Sequence, residues 1–139
     1  MPPTAFIDTN VWFSAFYCSP NAQRIITAHL HGKIQAVISP QVLTELITNV
    51  KLKIPQALSP LENFLNLSPP MIIKNPATIP VPIKSLAHHH DAPLLTACYL
   101  AKIPYFITGN TKDFNIRAIK TKLKIDVLTP NQAVKLWHF

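Results

Sequence analysis

The sequence predicts an α/β protein, a three-layer α/β/α sandwich around a central parallel sheet of four to five strands. Short apolar runs alternate with segments whose apolar residues recur at three- and four-residue steps, the pattern of successive strand and helix units. Residues suited to helix caps and turns stand between them. The chain's 139 residues, 48% of them hydrophobic, suffice for one substantial core, so residues 1–139 are expected to form a single domain.

Thr4 to Ile7 is the first strand, and Asp8, Thr9 and Asn10 offer caps for a helix over Val11 to Tyr17. Asn21 is expected to cap a second helix, with Ala22, Ile25, Ile26, His29 and Leu30 inward and His31-Gly32 as its stop. Gln35 to Ile38 is the second strand. Ser39-Pro40 opens a third helix, whose buried stripe is Val42, Leu43, Leu46, Ile47 and Val50. Glu45 lies on the flank of that stripe, about 60° around the wheel from Val42. Pro55 to Leu67 reads as one amphipathic helix. Pro69 to Pro82 holds five prolines around Met71-Ile72-Ile73, which predicts one short strand and then an irregular crossover. Asp91 caps a helix over Ala92 to Ala101, followed by a strand at Tyr105 to Thr108. A polar loop, a basic helical turn at Ile116 to Lys120, a strand at Asp126 to Leu128 and a helix at Asn131 to Trp137 complete the chain.

Composition removes several functions. With only Gly32 and Gly109, neither a dinucleotide fingerprint nor a P-loop is present, so no nucleotide cofactor held in that way is expected. The two cysteines, Cys18 and Cys98, fit no disulfide framework and read as buried thiols in a reducing cytoplasm. No apolar run approaches the roughly 20 residues of a membrane span, so a soluble protein is expected. Thirteen Lys and Arg against six acids give a net charge of +7, which favours a polyanionic partner.

The acids are few and unevenly placed. Asp8 follows the first strand, Asp113 follows the strand at Tyr105, Asp91 begins the helix leading into that strand, and Glu45 lies near the start of the third helix. In a parallel α/β sheet these positions share the carboxyl edge, where ligands bind. Four of the six acids thus converge, leaving Glu62 and Asp126 elsewhere. Carboxylates gathered in a cleft need a positive partner. With the oxygens of Asn10, Asn110 and Thr111 nearby, a hard divalent cation, Mg²⁺ or Mn²⁺, suits the set, and water is the expected attacker in phosphodiester hydrolysis. Simple capping explains Asp8 and Asp91 one at a time, but neither Glu45 nor the convergence.

Four segments carry a family resemblance: Ile7-Asp8-Thr9-Asn10-Val11, Leu43-Thr44-Glu45-Leu46, Asp91-Ala92-Pro93-Leu94-Leu95-Thr96-Ala97, and Tyr105 through Phe114. In this order and spacing the chain resembles the PIN domain, in particular the VapC-like toxins of prokaryotic toxin–antitoxin pairs, from Thr4 to about Val134. The resemblance implies a metal-dependent ribonuclease in which Asp8, Glu45 and Asp91 hold Mg²⁺ or Mn²⁺ and orient a water. Many members carry an acid directly after the Thr-Gly pair, where this chain has Asn110, so Asp113 becomes the fourth catalytic acid and, beside Asp8 and Asp91, a metal ligand. Thr9, Asn10, Asn110 and Thr111 are then supporting polar groups. An RNA substrate, a homodimer and a cognate antitoxin are the implied partners.

Other features admit two readings. Adjacent histidines on a regular backbone point different ways, so His88-His89-His90 reads as a solvated loop rather than a zinc site. Lys112, Arg117, Lys120, Lys122 and Lys124 form a candidate RNA-binding surface beside the acids, or an ordinary solvated face. His29 and His138 read as partly buried helix residues. Two competing functions stay open: a PIN-fold module that binds RNA or antitoxin without cutting, suggested by Asn110, and a phosphatase with Asp8 as nucleophile, weakened by Asn10 where a second acid is usual.

Overall fold

The computed structural model describes residues 2–139. Strand β1 (Thr4–Ile7) is apolar on both faces because it lies at the centre of the sheet, with β2 (Gln35–Ile38) on one side and β4 (Tyr105–Ile107) on the other. The edge strands are β3 (Met71–Ile72) and β5 (Asp126–Leu128), in the order β3-β2-β1-β4-β5. Every pairing is parallel, with Phe6 opposite both Val37 and Phe106. The predicted parallel α/β sheet is therefore present, with five strands.

Parallel strands demand crossovers, and eight helices supply or extend them: α1 (Thr9–Phe16), α2 (Pro20–Leu30), α3 (Pro40–Lys53), α4 (Leu58–Leu67), α5 (Val81–Lys84), α6 (Ala92–Leu100), α7 (Ile116–Leu123) and α8 (Pro130–Trp137). Helix α1 packs on α2 and α3, and α8 joins this layer through α2; α5 packs on α6, and α7 on β5. The strand order moves one way from β1 to β3 and then jumps back to β4, so right-handed crossovers place the two helix groups on opposite faces. At the centre, Phe6 stacks on Phe106 with ring centroids 5.3 Å apart, and Phe106 continues to Phe114. Buried Trp12 satisfies its indole N–H on the Ile7 carbonyl at 3.2 Å. Helix α6 is buried from Leu94 to Cys98, and its Thr96 hydroxyl donates to the Ala92 carbonyl.

Several local expectations need correction. Helix α2 starts one residue before Asn21: Ser19 is its N-cap and Pro20, with its preset φ, takes the first helical position. Leu30 and His138 are exposed, His138 as a left-handed C-cap. Pro55 to Leu67 divides into a 3₁₀ turn (Pro55–Ala57) and α4, and the proline-rich crossover contains α5. Cys98 is buried as expected, but Cys18 is exposed. His29 is buried, its Nδ1 accepting from the Ala36 N–H and its Nε2 facing the Ser68 carbonyl. Among the described residues no helix is long and apolar enough to cross a membrane.

Candidate active site

The apolar run of β1 ends at Asp8, where the chain turns into α1. Its backbone N–H pairs with the Ile107 carbonyl, which fixes it at the carboxyl edge. One carboxylate oxygen accepts from the Thr9 N–H at 2.7 Å, and the other from the Thr108 hydroxyl at 2.9 Å and the Asn10 amide at 3.4 Å. Asp8 is only 3% exposed. Burial pushes its carboxyl from an ordinary 3.8 up to about 6; the Thr108 hydroxyl opposes the rise, Asp91 adds to it, and the Thr9 N–H and Glu45 make smaller opposing contributions.

Glu45 enters from α3. Its two oxygens accept from the Gln41 amide at 2.8 Å and the Thr9 hydroxyl at 3.1 Å, neutral donors that orient the group without cancelling its charge. Asp91 stands at the N-terminus of α6 but makes no side-chain capping bond, so capping does not account for it. Burial raises its pKa, and Asp113 and Glu45 raise it further against the opposing influence of His88 and His90. Asp113 lies in the 3₁₀ turn Thr111–Asp113 and accepts from the Asn110 amide. Backbone bonds tie its loop to that of Asp91: His88 N–H to the Asp113 carbonyl at 2.9 Å, and Asn115 N–H to the Leu86 carbonyl at 2.7 Å.

Asp8, Glu45 and Asp91 line one cleft of about 260 Å³, and Asp113 reaches it electrostatically through Asp91. Among the described residues the one ion pair is Lys120 with Asp126, so no lysine or arginine is paired directly with these acids. Oxygen donors, a buried carboxylate with a raised pKa and uncancelled negative charge fit a hard divalent cation. The acids share the cleft without forming a finished ligand set: among the described residues no three acidic, imidazole or thiol groups are drawn together for that.

The supporting residues divide by contact. Thr9 bonds both Asp8 and Glu45, while Asn10 links Asp8 and Thr108 to the Gly109 N–H. Asn110 uses its amide N–H on Asp113 and so orients that acid. Thr111 begins the turn. Sequence reasoning missed Thr108, a fully buried hydroxyl that donates to Asp8 and accepts from the Asn110 N–H at 3.1 Å. It also missed Asn49 and Lys53, which line the cleft; the available signal was the four-residue spacing of Gln41, Glu45, Asn49 and Lys53 along α3. The Lys53 ammonium rests 5.8 Å from the centroid of the Phe13 ring.

Two surface expectations change. The rings of His88, His89 and His90 gather, with neighbouring centroids 4.1 to 4.2 Å apart, because the segment is a turn rather than a regular backbone. The basic run does not stay beside the acids. Helix α7 leads away from their edge, so Lys120 pairs with Asp126 at the start of β5 and Lys124 lies beside Pro104, which precedes β4. Lys122 shares that last turn of α7; only Arg117, in the first turn, and Lys112, in the acidic loop, remain toward the carboxyl edge.

A sequence profile for the PIN domain matches residues 4–112. The structure is similar to VapBC2 from Rickettsia felis bound to a promoter DNA fragment, at a TM-score of 0.64 and 19% identity over 91% of this chain and 98% of that one. It is also similar to a toxin–antitoxin complex from Klebsiella pneumoniae, at a TM-score of 0.59 and 23% identity over 91% and 97% of the respective chains. Both likenesses are of fold. No curated protein matches the sequence.

Proposed function

Because the chain belongs to the PIN domain family, we propose that it is a divalent-metal-dependent endoribonuclease and the toxin of a toxin–antitoxin pair. The observation that carries this reading is the acidic cleft at the carboxyl edge, with Asp8 buried and no cationic side chain paired to its acids. Asp8, Asp91 and Asp113 would hold Mg²⁺ or Mn²⁺, which when bound supplies an activated water and charge stabilisation at the phosphate. Glu45, kept in place by Gln41 and Thr9, faces the cleft with a carboxylate suited to accept a proton from water. Thr108 and Asn10 hold Asp8 in one orientation. The Lys53 ammonium at the rim offers a cation to an RNA phosphate.

An antitoxin partner and a homodimer belong to the same proposal. Both structural neighbours are toxin–antitoxin assemblies, and Leu52, Leu67, Val81 and Leu100 expose apolar side chains that a partner would cover. We place the protein in the cytoplasm, as one nuclease domain with free thiols.

Cleavage of end-labelled RNA with Mg²⁺ or Mn²⁺ tests the reading. We expect cutting that EDTA abolishes and that Asp8→Asn or Asp91→Asn lowers about 100-fold or more, the scale of losing a catalytic charge. Retention of RNA without cutting by the wild-type chain would instead support the binding-module reading, which the neutral Asn110 favours.

A further inference from the structure

A second cleft adjoins the acidic one, with Asn10 as the wall between them. Its volume is about 510 Å³, within the range of roughly 300–1,000 Å³ typical of small-ligand sites. Its polar side chains are Asn10, Ser14, Ser19, Asn21, Asn110, Thr129 and Asn131, with none charged.

These groups fall into two sets. Asn10, Asn110 and Thr129 are committed internally, to Asp8 and Gly109, to Asp113, and to the Gln132 N–H of the α8 capping box. They make a fixed frame. Ser14, Ser19, Asn21 and Asn131 have no side-chain hydrogen bond among the described residues, yet α1, the N-cap and first turn of α2 and the first turn of α8 hold them around one concavity. Helices α1 and α8 both pack on α2, so these four positions are set by the core rather than by a free loop.

We infer that this cleft receives a nucleobase of the RNA strand, next to the phosphate bound at the acids; the inference rests on the nuclease reading above. A phosphate would find no cation in the lining, and an apolar ligand would leave the amides and hydroxyls unpaired. A base is neutral and presents donors and acceptors along its edge, which side-chain amides match. No aromatic side chain lines the cleft, so recognition rests on hydrogen bonds rather than stacking. Reading by hydrogen bonds discriminates between bases, so the cleft confers a nucleotide preference at one position beside the cut.

The test separates base binding from cutting. Isotope-labelled protein in EDTA is titrated with the neutral ribonucleosides adenosine, cytidine, guanosine and uridine, which carry no phosphate for the acids to repel, following the side-chain amide signals of Asn21 and Asn131 by nuclear magnetic resonance. We expect both signals to move, with one base binding about fivefold or more tighter than the weakest, and Asn21→Ala and Asn131→Ala each reducing that spread to below about twofold at unchanged melting temperature; fivefold is the size of one modest hydrogen-bond difference. Equal affinity for all four, or shifts confined to the acidic cleft, would overturn the inference. Cleavage with Mn²⁺ is scored separately. Cutting without nucleotide preference removes the base site and leaves the nuclease; base-selective binding without cutting removes the nuclease and leaves the base site.

Discussion

Asp8 is a buried carboxylate whose neighbours include two further acids, and its raised pKa links the metal-free protein's stability to pH. Below the unfolded value of 3.8 the group is protonated in both states and costs nothing. Between 3.8 and about 6 the folded chain keeps a proton that the unfolded chain has released, so stability falls as pH rises through this window. Above it, the folded state carries the full penalty of about 3 kcal/mol. Asp8→Asn removes the titration but must turn an amide N–H toward a former donor, so a net gain of about 1–2 kcal/mol is expected at pH 7 in EDTA. Urea unfolding at pH 4 to 7 measures this; the same pH slope in both proteins would show that Asp8 is not the linked group. At this scale the sequence was informative where a residue's place follows from its element. Asp8 ends a strand, Asp91 begins a helix, and Glu45 flanks an apolar stripe. Thr108 offered no such clue, since one hydroxyl after an apolar run has no periodicity and its partner Asp8 lies 100 residues away in sequence.

The elements explain why two groups of basic residues differ. Along α3, Gln41, Glu45, Asn49 and Lys53 recur every fourth residue and form a polar stripe that runs from the acid's orienting amide to a cation at the cleft mouth. Along α7 the basic residues follow a helix that leaves the carboxyl edge, and the Lys120 pair with Asp126 is exposed, with a contribution within about 1 kcal/mol. Lys53→Ala is therefore expected to weaken RNA binding and to reduce the slope of log affinity against log salt by about 0.7, one phosphate contact on a single strand. Lys120→Ala should leave that slope unchanged. Salt titrations of both variants decide the matter, and a reversed ranking would move the RNA path to α7. Element type was largely legible from alternation and apolar spacing. The start of α2 was not, because Ser19-Pro20 and Asn21 both offer helix-start chemistry and the tertiary fold selects the former. Helix α5 was hidden by its prolines, which a first helical turn tolerates.

At the scale of the molecule, alternating strands and helices imply a parallel sheet, but the order β3-β2-β1-β4-β5 depends on long-range pairing that no local pattern encodes. That order places β1 beside both β2 and β4, and so brings acids from α3, α6 and the loop after β4 around Asp8. The rest of the chain is basic, a charge balance that attracts polyanions, while the acids repel phosphates unless a cation intervenes. Folding and metal binding should consequently be coupled, since the folded state gathers carboxylates that the unfolded chain disperses. A cation at 100 times its dissociation constant stabilises the fold by about 2.7 kcal/mol, which for a chain of this length raises the melting temperature by roughly 5–10 °C. Scanning calorimetry at pH 7 should show that rise with Mn²⁺ in the wild type. It should be much smaller in Asp8→Asn, and in the wild type at pH 5, where protons compete with the metal for Asp8. Equal rises in all three would place the bound ion elsewhere on the molecule.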